Sequence, residues 1–479
     1  MNSFPQPPSG DHRDKTAIPV RLQWYLDAHF GMFIHWGAYS VAGVEASWPL
    51  MTPDLAPILF PNPNRISEED YVALPSRFNP VEFDARGWVR LAKRAGMRYI
   101  VFTAKHHDGF CMFDAPGTDY KITNTPFGRD VCKELADACA EEGMRLGFYY
   151  SPPDMHHPGY RDTRKPVAAN WTGEPRRAEW QDYLDYMASH LRTLLTGYGP
   201  ISVIWFDGLF NHRKYDPPRF HRLIHAISPD TLINDRLGDG YDFITPEQFI
   251  PRQGIPIRTG KPPAAEKGGE GWFRTVLKLI KTPLVGKWLR KQLERYATGE
   301  LELTRIPQAP YPEIKDFQPW ETCMTMGSTW AYNPHEEHWK PVDTLIRNLV
   351  EVTSRGGNYL LNIGPTPQGT FPPPAVERLE AIGRWMEVHS DAIYGTTYLP
   401  PLAWQGGRAT RKGNRIYLHI FEWSHDGKLI VGDFPFSVGK VESITGEGCL
   451  FRQSENQLEI DLPPQPFHQP VSVLVVSIT

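Results

Sequence analysis

Ile201-Ser202-Val203-Ile204-Trp205-Phe206-Asp207-Gly208 is the stretch whose reading decides the fold. Ile201, Val203 and Ile204 are β-branched, and the run follows the turn Gly197-Tyr198-Gly199-Pro200. A continuous apolar run bounded in this way reads as a strand buried on both faces, which predicts a parallel strand covered by helices. It ends in a carboxylate, Asp207, and a glycine that lets the chain turn sharply. In a barrel of alternating strands and helices, side chains at the C-terminal strand ends converge on a substrate, so Asp207 is a candidate for chemistry. The competing reading is an N-cap of the next helix.

Outward from this strand the same rhythm recurs. Upstream, a strand over 30–37 ends in His35 and Trp36. A helix over 83–96 leads into a strand over 97–107, and a helix over 130–142, closed by Gly143, leads into a strand over 146–151. A longer helix over 176–195 precedes the Asp207 strand. Downstream, strands are expected at 231–236, 243–247, 320–326 and 358–363, with a last helix over 375–388. About eight strands, most separated by helices, predict a (β/α)8-like barrel. A doubly wound open sheet is the runner-up, disfavoured because no glycine-rich phosphate loop follows the first strand.

Two regions depart from the pattern. Residues 251–318 read as an insertion, with a Gly/Lys/Pro-rich loop over 260–271 and a basic amphipathic segment over 272–296. That segment reads as a lid or docking helix with a solvated face rather than a stable membrane anchor. From about 398 the helical period gives way to short apolar runs between turns such as Lys412-Gly413-Asn414 and His425-Asp426-Gly427, the pattern of an all-β sandwich. The expected organisation is a disordered-looking segment over 1–20, a catalytic barrel over 21–395 and a β-sandwich over 396–479.

The 479 residues are 41% hydrophobic and 22% charged, which excludes a disordered or fibrous class. A net charge of −4 gives no basic field for nucleic acid. The five cysteines form no CxxC pair and argue against a disulfide framework or zinc cluster. No signal-peptide h-region is visible, so the chain as written is expected in the cytoplasm, or in the periplasm or medium if a leader was removed. Oligomeric state stays open.

The predicted strand ends are polar and aromatic, with neither a phosphate cradle nor a dinucleotide fingerprint. His35, His106, His107 and Asp108 invite a metal reading, but hydrogen-bonding histidines fit the pattern better, so no metal or organic cofactor is expected. Carboxylates among aromatics and donors are the inventory of a glycoside hydrolase. Glu321, beside Trp320, Cys323 and Met324, has an apolar setting suited to a protonated acid, and Glu247 is the fallback. Arg236 would keep a partner carboxylate ionised, as a nucleophile requires.

Residues 30–37 (FGMFIHWG), 104–110 (AKHHDGF), 205–208 (WFDG), 320–323 (WETC) and 356–365 (GGNYLLNIGP) together resemble the α-L-fucosidases of glycoside hydrolase family 29. The resemblance implies a (β/α)8-like domain followed by a β-sandwich, and hydrolysis of terminal α-L-fucosyl residues of an oligosaccharide or glycoconjugate with retention. It makes Asp207 the nucleophile and Glu321 the acid/base, with His35, His106, His107, Tyr150, Trp205 and Arg236 lining the sugar pocket. The family commonly carries Glu-Trp after the first strand, where this chain reads Glu45-Ala46-Ser47-Trp48. Trp48 matches the tryptophan, and serine stands in place of the glutamate. The alternatives are the same machinery on a related sugar such as α-L-galactose, a catalytically silent carbohydrate-binding protein, and a metal hydrolase.

Overall fold

A computed structural model describes residues 19–53, 62, 64–173, 177–208, 212–251, 317–399, 402–404 and 406–479. The segments expected at 260–271 and 272–296, and nearly all of 1–20 and 251–318, lie outside the described residues. Seven parallel strands form one sheet: β1 (Phe30–Ile34), β2 (Tyr99–Lys105), β3 (Arg145–Tyr150), β4 (Val203–Phe206), β5 (Leu232–Ile233), β6 (Glu321–Thr325) and β7 (Asn358–Ile363), in the order β5-β4-β3-β2-β1-β7-β6. The helices Ala85–Arg94, Val131–Glu142, Arg177–Gly197, Pro217–Ile227, Val342–Thr353 and Pro373–His389 cover its outside. Asp130 caps its helix through Lys133 N, and Gly143 ends that helix at φ +67°, both as the sequence reads.

The eighth expected strand, 243–247, closes the ring as single bridges. Asn234 pairs with Phe243, Ile244 with Trp320 and Glu247 with Cys323, all parallel. Pro246 has no N–H to give to a regular ladder, yet its carbonyl still accepts from Cys323 N at 3.2 Å.

Alternation along each strand divides the core. Phe33, Tyr99, Val101, Tyr149, Val203, Trp205, Cys323 and Leu360 fill the interior, while Ile100, Phe102, Phe148, Tyr150, Ile204, Phe206 and Met324 pack outward under the helices. The helix Val20–Ala28 plugs the N-terminal end with Leu22, Tyr25 and Ala28, and Asn358 Nδ2 donates to Tyr25 O at 2.9 Å. With its floor sealed, the barrel of the described residues opens toward the C-terminal strand ends.

The C-terminal part is a sandwich. β8 (Thr397–Tyr398), β9 (Gly407–Lys412), β10 (Arg415–Ile420), β12 (Val438–Ser443) and β15 (Ser472–Ile478) form one antiparallel sheet, and β11 (Lys428–Gly432), β13 (Phe451–Ser454) and β14 (Gln457–Asp461) the other. Ile416, Leu418, Leu474 and Val476 point into its core, whereas Tyr417, Val473 and Val475 join the barrel's outer layer. Among the described residues no helix is long and apolar enough to cross a membrane.

Candidate active site

Asp207 directly follows β4, whose end is clamped to its neighbour by Asn234. Phe206 N donates to Asn234 Oδ1 at 2.8 Å, and Asn234 Nδ2 returns a bond to Phe206 O at 2.9 Å. The turn after Asp207 needs glycine, since Gly208 has φ +79° and a Cβ there would stand 2.5 Å from His107 Cε1. Asp207 Oδ1 accepts from Arg236 Nη1 at 2.7 Å and Oδ2 from Tyr149 Oη at 2.9 Å. Burial raises the Asp207 carboxyl, but the Arg236 charge, His107 and these two hydrogen bonds outweigh it, and the net shift is downward. An ionised, oriented carboxylate results.

Arg236 is shared. Its Nη2 donates to Glu247 Oε2 at 2.8 Å, so one guanidinium holds both carboxylates. Thr245 fixes the fork, accepting from Nε at 3.1 Å through its hydroxyl and from Nη2 at 3.2 Å through its carbonyl, while Asp235 Oδ1 anchors the Thr245 hydroxyl at 2.7 Å. The side chains of Asp207 and Glu247 retain 20% and 42% exposure, so both are reachable from the open end.

Three histidines face this pair, each with one ring nitrogen occupied. Asn362 gives its amide hydrogens to Trp330 O at 2.7 Å, which leaves Oδ1 to accept from His35 Nδ1 at 2.6 Å and frees His35 Nε2 as an acceptor. Ser151 donates to Pro153 O at 2.8 Å and therefore accepts from His107 Nδ1 at 2.6 Å. Ser47 takes the Asp108 N–H at 2.9 Å, and its own proton goes to His106 Nδ1 at 2.6 Å, making His106 Nε2 a donor. Burial lowers all three imidazoles, His35 and His107 to about 4, so they are neutral near pH 7. β2 ends at Lys105, so His106 and His107 lie beyond the strand and share one side, their rings 4.2 Å apart. The buried Lys105–Asp154 pair (3.2 Å) and the Lys105 Nζ bond to Pro153 O (3.1 Å) hold the loop that carries Ser151. Among the described residues no group of three or more His, Cys, Asp or Glu converges in a metal-holding arrangement.

Two expected positions require correction. Tyr150 does not face the cluster: it points outward and meets His190 Nδ1 at 3.1 Å, and Tyr149, on the opposite face of β3, is the tyrosine on Asp207. Glu321 does not meet Asp207. It opens β6 where Asp207 follows the end of β4, and it is only 1% exposed. Its register partner Asn358 lies four residues before Asn362, about 13 Å below the histidine layer at a strand rise of about 3.3 Å per residue. Its carboxylate accepts from Tyr99 Oη and from Trp205 Nε1 (2.9 Å). Trp205, itself buried, separates it from the site, carrying Arg236 over its ring at 4.9 Å and Tyr149 stacked at 5.7 Å. Trp48 opens a short helix immediately after Ser47 and is half-buried. Glu45 turns away, accepting from Trp330 N (2.8 Å) and Ala331 N (3.2 Å). Tyr149, Ser151, Asn234, Thr245 and Asn362 also shape the site, in roles that no motif in the sequence points to, and Trp330, of the Trp330-Ala331-Tyr332 stretch, packs on His35.

Residues 7–259 and 281–391 match the family model described as alpha-L-fucosidase. The chain belongs to that family. The α-L-fucosidase of Dictyostelium discoideum is 27% identical over 95% of this chain and 88% of its own length. The plasma α-L-fucosidase of Rattus norvegicus is 26% identical over 96% of this chain and 91% of its own. Among solved structures, α-L-fucosidase isoenzyme 1 of Paenibacillus thiaminolyticus superposes with a TM-score of 0.77 at 31% identity, covering 96% of this chain and 99% of its own. As a member of the α-L-fucosidase family the protein is a glycoside hydrolase with a barrel and a β-sandwich, and the cluster at the barrel mouth is its candidate catalytic centre.

Proposed function

We propose that the protein is a retaining exo-α-L-fucosidase acting on terminal fucosyl residues of glycans, with Asp207 as nucleophile and Glu247 as acid/base. The observation that carries this reading is the single guanidinium of Arg236 bound to both carboxylates, at 2.7 and 2.8 Å. That bridge suits a pair working at about 5–5.5 Å, where one carboxylate attacks directly, rather than the wider gap of about 6.5–9.5 Å that leaves room for a water in inverting enzymes. Glu247, ion-paired to Arg236 in the free enzyme, must take up a proton before it can act, and Asp207 then attacks the anomeric carbon as Glu247 gives that proton to the departing oxygen. Glu247 then takes a proton from the water that displaces Asp207 from the glycosyl-enzyme. His35, His106 and His107 present a mixed set of acceptors and donors to the sugar hydroxyls, which fixes the ring before attack. The related fucosidase of Thermotoga maritima, 26% identical over 95% of this chain, has been solved with a mechanism-based inhibitor, which agrees with a covalent route.

The test uses aryl α-L-fucosides, with the L-galactoside as competitor. Asp207→Gly is expected to lose turnover and regain it in azide, giving a glycosyl azide of inverted configuration. Glu247→Ala is expected to lose about 10²–10⁴-fold on poor leaving groups and to give a retained azide. An Asp207→Gly enzyme with wild-type turnover, or an inverted azide from Glu247→Ala, overturns the pair.

A further inference from the structure

Glu321 is a buried carboxylate that the proposed mechanism does not use. It occupies the barrel floor with Tyr25, Tyr99 and Cys323 around it, and among the described residues its link toward the site is the Trp205 indole, whose N–H it accepts at 2.9 Å. Trp205 in turn bears the two groups that grip Asp207. Arg236 lies over its ring at 4.9 Å and Tyr149 stacks on it at 5.7 Å with planes 19° apart. Phe33 packs at 5.1 Å and fills another side of the indole. An indole has one donor, so a buried indole with no acceptor for it would tilt toward one. Here the acceptor lies on the floor side, and it sets the height and tilt of the platform under Arg236 and Tyr149.

Resting on the assignment of Asp207 as nucleophile, we infer that Glu321 is a positioning residue for catalysis, which fixes Trp205 from below so that Arg236 and Tyr149 hold Asp207 ionised and aligned for attack. It touches no substrate. Its effect reaches the reaction through the Arg236–Asp207 and Tyr149–Asp207 bonds, and with His107 those are the groups around Asp207 that set its proton affinity. If the platform shifts, Asp207 loses stabilisation of its charged form, so the acid limb of kcat/KM moves to higher pH.

The experiment compares Glu321→Leu, Glu321→Gln and Tyr99→Phe in the full-length enzyme by pH profile, kcat, KM and melting temperature. Glu321→Leu removes the acceptor at similar volume. The expected result is a kcat lower by about tenfold to a hundredfold, an acid limb displaced upward and no restoration by azide. Glu321→Gln keeps an oxygen for the indole and is expected to recover most of kcat and the original limb. Tyr99→Phe takes a different donor from the same carboxylate and is expected to lower Tm with the limb in place. If Glu321→Leu does not fold, Trp205→Phe keeps a ring under Arg236 without the N–H and should show the same limb shift on a smaller scale. A wild-type limb and kcat in Glu321→Leu, or in Trp205→Phe where that variant is used, refutes the positioning role, as does a limb shift in Tyr99→Phe equal to that of Glu321→Leu. Azide restoration of Glu321→Leu to a retained product would make Glu321 the acid/base and refute it too. Failure of the Asp207–Glu247 pair would instead appear in the variants of those two residues.

Discussion

Tyr149 donates to Asp207 Oδ2 at 2.9 Å, while Tyr150, one position on, donates to His190 Nδ1 in the outer layer, because His190 Nε2 is engaged with Pro116 O. A hydrogen bond to a charged group contributes about 1.5–3 kcal/mol, so Tyr149→Phe is expected to lower kcat/KM roughly tenfold to a hundredfold. Asp207 must be ionised to attack and the lost bond favoured its ionised form, so the acid limb of that variant should rise in pH. Tyr150→Phe is expected to leave kcat/KM and the limb unchanged and to cost about 0.5–1.5 kcal/mol of stability, read as a small drop in Tm. Equal kinetic losses in the two variants would contradict this assignment. The pair also marks what the sequence could reveal. Asp207, His35, His106, His107 and Arg236 stand just beyond apolar runs, and the end of a run is visible in the letters. Which of two adjacent tyrosines faces inward depends on the parity of the strand, and aromatic residues on both faces conceal that parity. Glu321 was misread for a related reason. Its apolar neighbours suggest a protonated acid, but its place at the start of the 320–326 run puts it at the N-terminal end of its strand, away from the barrel mouth where catalytic side chains gather.

The loop 328–332 shows the same limit for an element. Trp330 stands 5.1 Å from the His35 ring, and its carbonyl orients Asn362, yet what holds this loop comes from 285 residues earlier: both Glu45 oxygens accept from the Trp330 and Ala331 amides. No periodicity encodes such a contact, and comparison with the family's Glu-Trp pair drew attention to Ser47 instead. In the structure Ser47 sets the His106 tautomer while Glu45 holds the backbone. Glu45→Ala would leave two buried N–H groups without acceptors, at about 1–3 kcal/mol each. The expected outcome is a lower Tm and a KM raised more than kcat is lowered, since the loop supports His35 and not Asp207. A Glu45→Ala enzyme with wild-type Tm and KM would show that the loop holds itself. The ring-closing segment 243–247 is easier to foresee, because its apolar start and its Glu247 end follow the strand pattern that Pro246 only interrupts.

Across the whole molecule, buried titratable groups give stability two opposing slopes with pH. Burial depresses His35, His107 and His389 to about 4 and His190 and His419 to about 3. Between those values and the ordinary histidine value of about 6.5 the unfolded chain binds more protons, so stability falls as pH drops through that window. Burial raises Asp108 to about 6, Glu321 to about 7 and Glu45 to about 8. For these the native state binds more protons above the ordinary carboxyl range of about 4, so stability falls as pH climbs toward the raised values. The five histidines outweigh the three carboxyls up to about pH 7, so Tm should peak near pH 7 and decline only shallowly toward pH 8, where the buried Lys340 amine, lowered to about 8, adds an opposing slope. Glu321→Gln separates the contributions, because it removes one titration and keeps an acceptor for Trp205. Relative to wild type, the variant should gain stability as pH rises from about 4.5 to 7, by up to ~1.4 kcal/mol per pH unit, and gain nothing further above about 8, where Glu321 is ionised in both states. Thermal melts of both proteins at pH 5, 7 and 8.5 decide the point. A Tm difference that stays constant across the three would mean that Glu321 is ionised throughout, and that its hydrogen bonds from Tyr99 and Trp205 outweigh the cost of its burial.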